Sequence, residues 1–164
     1  GWSRTGPSGK WNLVRVDGGG YGGGPNDAQH GNQYVDIDGE YELFQNFTLA
    51  EASDLEFGAW FSNREANTDD TPSTVGIYNA AGDTLLSSVA AVNLFGQPKP
   101  STSWTQGSQT FNNVAPGTYQ FRIDLNNFNN VDSAFLNATP VPEPTTFAIV
   151  ALGLLGLRRR RGSK

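Results

Sequence analysis

From Leu55 to Phe61 the chain changes character at every step: Leu55, Phe57, Ala59 and Phe61 alternate with Glu56, Gly58 and Trp60. Successive side chains of a strand point to opposite faces, so this rhythm describes a strand half-buried on one face. It also sets Trp60 out of phase with the apolar side. The same period recurs in Glu42–Leu49, where Leu43, Gln45, Phe47 and Leu49 are set against Phe44 and Asn46, and in Tyr119, Phe121, Ile123 and Leu125. Before the C-terminal tail no window carries the 3.6-residue period of a helix.

Further strands are predicted at Trp11–Val16, Tyr34–Ile37, Val75–Ile77, Leu85 onward, Val89–Leu94, Trp104–Val114 and Val131–Ala138. "NAAGD" (Asn79–Asp83) predicts a hairpin with Gly82 at positive φ. "APGTY" (Ala115–Tyr119) predicts a tight turn, and Gln97–Pro100 breaks the sheet pattern. Loops are expected from Gly18 to about Asn32, over Ser62–Ser73 and over Asn126–Asn130. Roughly nine short strands at regular spacing predict an all-β fold, a two-sheet antiparallel β-sandwich. With 20 Gly and 12% aromatic residues the chain has both the turns and the apolar anchors for it. There is no Cys, which excludes disulfides and thiolate metal sites.

Charge and hydropathy divide the chain unevenly. Arg158, Arg159, Arg160, Arg161 and Lys164 supply five of the eleven basic residues, leaving six basic against sixteen acidic groups, a net of −10, in residues 1–157. Such a body repels nucleic acid and anionic lipid, so no nucleic-acid partner is expected. Ahead of the arginines, Phe147–Leu157 is an unbroken run of eleven apolar or Gly residues. A spanning helix needs about 20, so a hydrophobic helix here makes a poor permanent anchor. The arginines would lie on the cytoplasmic side and residues 1–140 outside it. Pro142 and Pro144 hold Glu143 in an exposed extended strip that an enzyme can grip.

Pro142-Glu143-Pro144, a Gly/Leu-rich run and an Arg cluster, in that order over residues 141–161, resemble a PEP-CTERM sorting signal. The resemblance implies export from a Gram-negative, exopolysaccharide-producing cell. It also implies recognition of Pro142, Glu143 and Pro144 by a membrane protease, exosortase, with Arg158–Arg161 completing the signal. The segment would tether the chain to the inner membrane transiently, and processing would release it to the cell surface or extracellular space. The boundary falls between a sandwich domain, residues 1–138, and a sorting signal, residues 139–164.

The body is similar in pattern to galactose-binding-like jelly rolls. The residues that carry the likeness are "GNQYVDIDG" (Gly31–Gly39), "LEFGAWFSNR" (Leu55–Arg64), "VGIYNAAGDTL" (Val75–Leu85), "WTQGSQTFNNVAPGTYQFRID" (Trp104–Asp124) and "NNVDSAFL" (Asn129–Leu136). That resemblance implies one structural Ca²⁺ near the first and last strands. Asp132 is its best positional match, with Asp17 or Asp27 as a partner from the early loop.

The catalytic inventory is thin. His30 is the only His and lies in "QHGNQ" without a Ser at an informative spacing, so no catalytic residue is assigned. Asp36, Asp38, Glu40, Glu42, Asp69, Asp70 and Asp124 are numerous enough for a two-carboxylate glycan hydrolase, but no motif fixes a pair. Sugar binding needs an aromatic platform with polar groups beside it. Trp60, Tyr78 and Trp104 are the candidate platforms, and Asn63, Arg64 and Asp69 the candidate hydrogen-bonding groups. The chain is therefore read as a non-enzymatic exported protein of the cell surface or matrix that binds exopolysaccharide. A self-associating matrix or filament subunit is the alternative.

Overall fold

The computed structural model describes residues 1–6, 13–16, 28–36, 40–63, 73–90, 104–125 and 129–142. They form ten strands: β1 Ser3–Thr5, β2 Leu13–Val16, β3 Gln33–Asp36, β4 Tyr41–Leu49, β5 Ser53–Asn63, β6 Thr74–Asn79, β7 Leu85–Ala90, β8 Thr105–Val114, β9 Gly117–Leu125 and β10 Asn129–Pro140. Among the described residues there is no helix. The predicted hydrophobic helix falls in residues 143–164, outside them.

Two antiparallel five-stranded sheets face each other, ordered β1-β4-β9-β6-β7 and β2-β3-β10-β5-β8. From β3 to β10 the chain changes sheet at every connection except the β6–β7 hairpin, which makes the sandwich a jelly roll. The alternating residues do what their period requires. Leu55, Phe57, Ala59 and Phe61 of β5 are all buried, as are Phe121, Ile123 and Leu125 of β9 and Val75 and Ile77 of β6. With Tyr41, Leu49, Val114 and Val131 they form one core. Phe57 and Phe121 join the sheets across it, their rings 6.5 Å apart and edge to face.

Turn chemistry sets the registers. Gly82 takes φ 77° in the β6–β7 hairpin and donates its N–H to Asn79 O at 2.9 Å. The Asn79 side chain accepts the Asp83 N–H at 3.2 Å, and its amide donates to Asp83 Oδ1 at 2.6 Å. Between β8 and β9 the Tyr119 hydroxyl donates to Ala115 O at 2.8 Å and closes the predicted turn. In β10 the pairing with β5 slips between Asp132 and Phe135, where Ser133 takes φ 49°. This is a β-bulge, and it re-aims the residues that pass through it.

Candidate functional site

A cleft of about 410 Å³ opens between the sheets along the side built by β1 and β4 of one and β3 and β10 of the other. Leu43, Ile123, Val35, Val131 and Ala134 give it an apolar lining continuous with the core, beside the buried rings of Tyr34 and Tyr41. Arg4, Gln33, Asp132 and Ser133 add polar groups, the last two delivered by the β10 bulge. Trp2 is 48% exposed, with its ring centroid 5.7 Å from that of core residue Phe121. One part of the indole is thus anchored while the rest faces solvent.

Asp132 is held firmly. Its Oδ2 accepts the His30 backbone N–H at 3.0 Å, and its Oδ1 accepts the Ser133 N–H at 2.6 Å and lies 3.4 Å from the Ser133 hydroxyl. The carboxylate therefore ties the turn around His30 to β10. Asp17 and Asp27, the proposed calcium partners, lie outside the described residues. Among the described residues no group of three or more acidic or His side chains is placed to hold a metal. Both Asp132 oxygens already accept N–H bonds. Among the described residues the Asp132 carboxylate acts as a clasp between this turn and β10.

The predicted aromatic platforms separate. Trp60 stays off the core, as its phase requires, half-buried and in register with Asp132 on one side and Gln106 on the other. Trp104, just ahead of β8, is half-buried and packs edge-on against Tyr34, centroids 5.5 Å apart. Both tryptophans thus border the wall that carries Asp132 and Tyr34, without lining the cleft. Tyr78 is a correction. It lies in the other sheet, only 7% exposed, with the Arg122 guanidinium carbon 3.6 Å from its ring centroid. That ring face is taken by a cation and is closed to a sugar. Burial, then the hydrogen bond from its hydroxyl to Asp124 Oδ2 at 2.7 Å, push the Tyr78 phenol up to about 12. Asn63 ends β5, and its side chain, like Arg64, lies outside the described set.

Glu42 and Asp124 are cross-strand partners that share Arg122, at 3.3 and 2.7 Å. With Glu40 they line a second, shallower pocket of about 320 Å³. Asp36 has no described side chain, and Asp38, Asp69 and Asp70 lie outside the described residues. Of the sorting residues, Pro142 is described and exposed, while Glu143, Pro144 and Arg158–Arg161 are not described. Nothing in the sequence marks Trp2, Arg4, Gln33, Tyr34 or Ser133 as a binding residue. A three-residue strand such as β1 is too short to display a period, and a bulge breaks the period it sits in.

Residues 140–161 match the PEP-CTERM protein-sorting motif. No curated protein matches the chain. Among solved structures, the Stig cyclase Fisc from Fischerella sp. TAU is similar with a TM-score of 0.62 and 15% identity, over 87% of this chain and 86% of that one. The enzymatically active domain of tailspike protein 4 from bacteriophage CBA120 aligns with a TM-score of 0.51 and 11% identity, over 85% of this chain but 19% of that one. The C-terminal CBM6 of LamC from Zobellia galactanivorans aligns with a TM-score of 0.47 and 16% identity, over 85% of this chain and 99% of that one. At such identities the likeness concerns the fold alone.

Proposed function

We propose that this chain is a non-enzymatic exported protein, delivered by the sorting motif at residues 140–161 to an exosortase-type protease, whose jelly roll binds exopolysaccharide at the cell surface or in the matrix. The observation that carries the binding half is the cleft. A half-exposed indole, Trp2, stands at an apolar trough bearing Arg4, Gln33, Asp132 and Ser133. A sugar ring has an apolar C–H face and a rim of hydroxyls, and it matches an aromatic surface with donors and acceptors beside it. The volume is at the small end for a ligand site, the size for the end of a chain rather than a long segment. The acidic body, net −10 over residues 1–157, disfavours polyanionic glycans, so the reading favours a neutral polysaccharide.

Calorimetry of the body against a panel of neutral and anionic polysaccharides, with Trp2→Ala and Arg4→Ala beside the parent, tests this. Loss of the indole is expected to weaken binding to a neutral glycan about tenfold, the equivalent of one stacking contact. Absence of binding across the panel, or binding indifferent to both substitutions, sinks the cleft as a glycan site.

A second reading, self-association into a matrix or filament, is favoured by the opposite side of the sandwich. There β7 and β8 are the edge strands of the two sheets, and they touch. Neither contains a charged residue or a proline, and Leu85 and Leu86 are 50% and 40% exposed. Edge strands without charge or proline are templates for pairing with another strand.

A further inference from the structure

The last ladder hydrogen bond of the body and the first proline of the Pro-Glu-Pro sequence belong to adjacent residues. β10 pairs with β5 through Asn137↔Glu56, Ala138↔Leu55, Thr139↔Asp54 and Pro140↔Ser53. Val141 prolongs the ladder by donating its N–H to Ala52 O at 2.8 Å. Val141 is half-buried, and Pro142, directly after it, is exposed. Because the motif begins at residue 140, Pro140 and Val141 belong to the sandwich and to the sorting signal at once.

A protease takes its substrate as extended chain on both sides of the bond it cuts. Backbone held in a ladder is cut only from an opened state, at a rate scaled by the population of that state. Freeing Asn137–Val141 would break the four pairings and the Val141 bond, and it would uncover Leu55 and Ser53, both buried. Pro142 itself lies beyond the last ladder bond, so a cut there needs only Val141 and its nearest pairings to loosen. We infer that sorting leaves a mature chain ending no earlier than Pro142, and that the β10–β5 ladder, by leaving no spacer ahead of Pro142, limits how fast the tail is removed. The cut then spares the whole of β10, and the mature body keeps every core residue it had before release.

This inference rests on the sorting reading of residues 140–161. The test expresses the full chain in an exopolysaccharide-producing bacterium that processes other carriers of the motif. A second chain has Gly-Ser-Gly-Ser inserted between Val141 and Pro142. Pulse labelling gives the rate of tail loss, and mass spectrometry of the C-terminal peptide gives the cut. Mature ends at Pro142 or beyond, with several-fold faster maturation of the spacer chain, are expected. A mature end at or before Val141, or a rate unchanged by the spacer, overturns the inference. If both chains keep Arg158–Lys164 while other carriers are processed, the sorting reading fails and takes this inference with it.

Discussion

At Arg122 one side chain serves four partners. Its guanidinium lies over the Tyr78 ring, pairs with Asp124 and Glu42, and donates to Gly82 O at 3.0 Å. It thereby joins β4, β6 and β9 to the hairpin turn on the outer face of one sheet. Tyr78 completes the cluster through Asp124. Its phenol is raised to about 12 by burial and by that hydrogen bond, so the neutral form is the one the fold favours. The stabilisation is fully present below about pH 10, where an unfolded tyrosine begins to ionise. It is lost as pH rises through the folded value of about 12. Tyr78→Phe is expected to lower stability at neutral pH by about 1 kcal/mol and to delete a phenolate step near pH 12 from an ultraviolet titration. An unaltered titration would mean that another tyrosine carries that step. The phase of Trp60 was legible in the chain because alternation is a local property. The fate of Tyr78 was not, because its cover comes from Arg122, 44 positions away in sequence.

Strands and turns were the most legible scale, yet they concealed one tight constraint. A Cβ on Gly58 would fall on the Gly107 carbonyl oxygen of the neighbouring strand and 3.0 Å from both Ser108 Cα and Phe135 Cζ. Two of those contacts are backbone and cannot rotate away, so β5 and β8 would have to part. Gly58→Ala is expected to cost about 1–3 kcal/mol, the range of an overpacked core, read as a lower urea midpoint. A variant as stable as the parent would show that the strands separate freely. In the sequence, Gly58 is only the small member of an alternating run. The hairpin at Asn79–Asp83 was readable because Gly82 and Asn79 carry their turn chemistry in their own side chains and φ angles. The β10 bulge was not, since Ser133 at φ 49° has no residue-type signature.

For the molecule as a whole, the two sides of the sandwich differ. One opens into the cleft, and the other ends in the uncharged edges β7 and β8. If those edges pair between copies, Leu86→Lys puts a charge into the contact and should abolish association in a sedimentation series while leaving the fold unchanged. A monomeric parent at all concentrations would dispose of the self-association reading. The chain by itself determined what depends on short-range pattern: the all-β class, the hairpin, the face of Trp60 and the address carried by residues 140–161. Tertiary structure alone decided which strands pair, where the sheets part to admit Trp2, Arg4 and Asp132 to one cleft, and that Val141 is locked into a ladder beside the motif. Those facts join residues far apart in sequence, as His30 and Asp132 are joined across 102 positions. Alternation fixes only which face a side chain takes; the neighbour it meets there is chosen by sheet order and register.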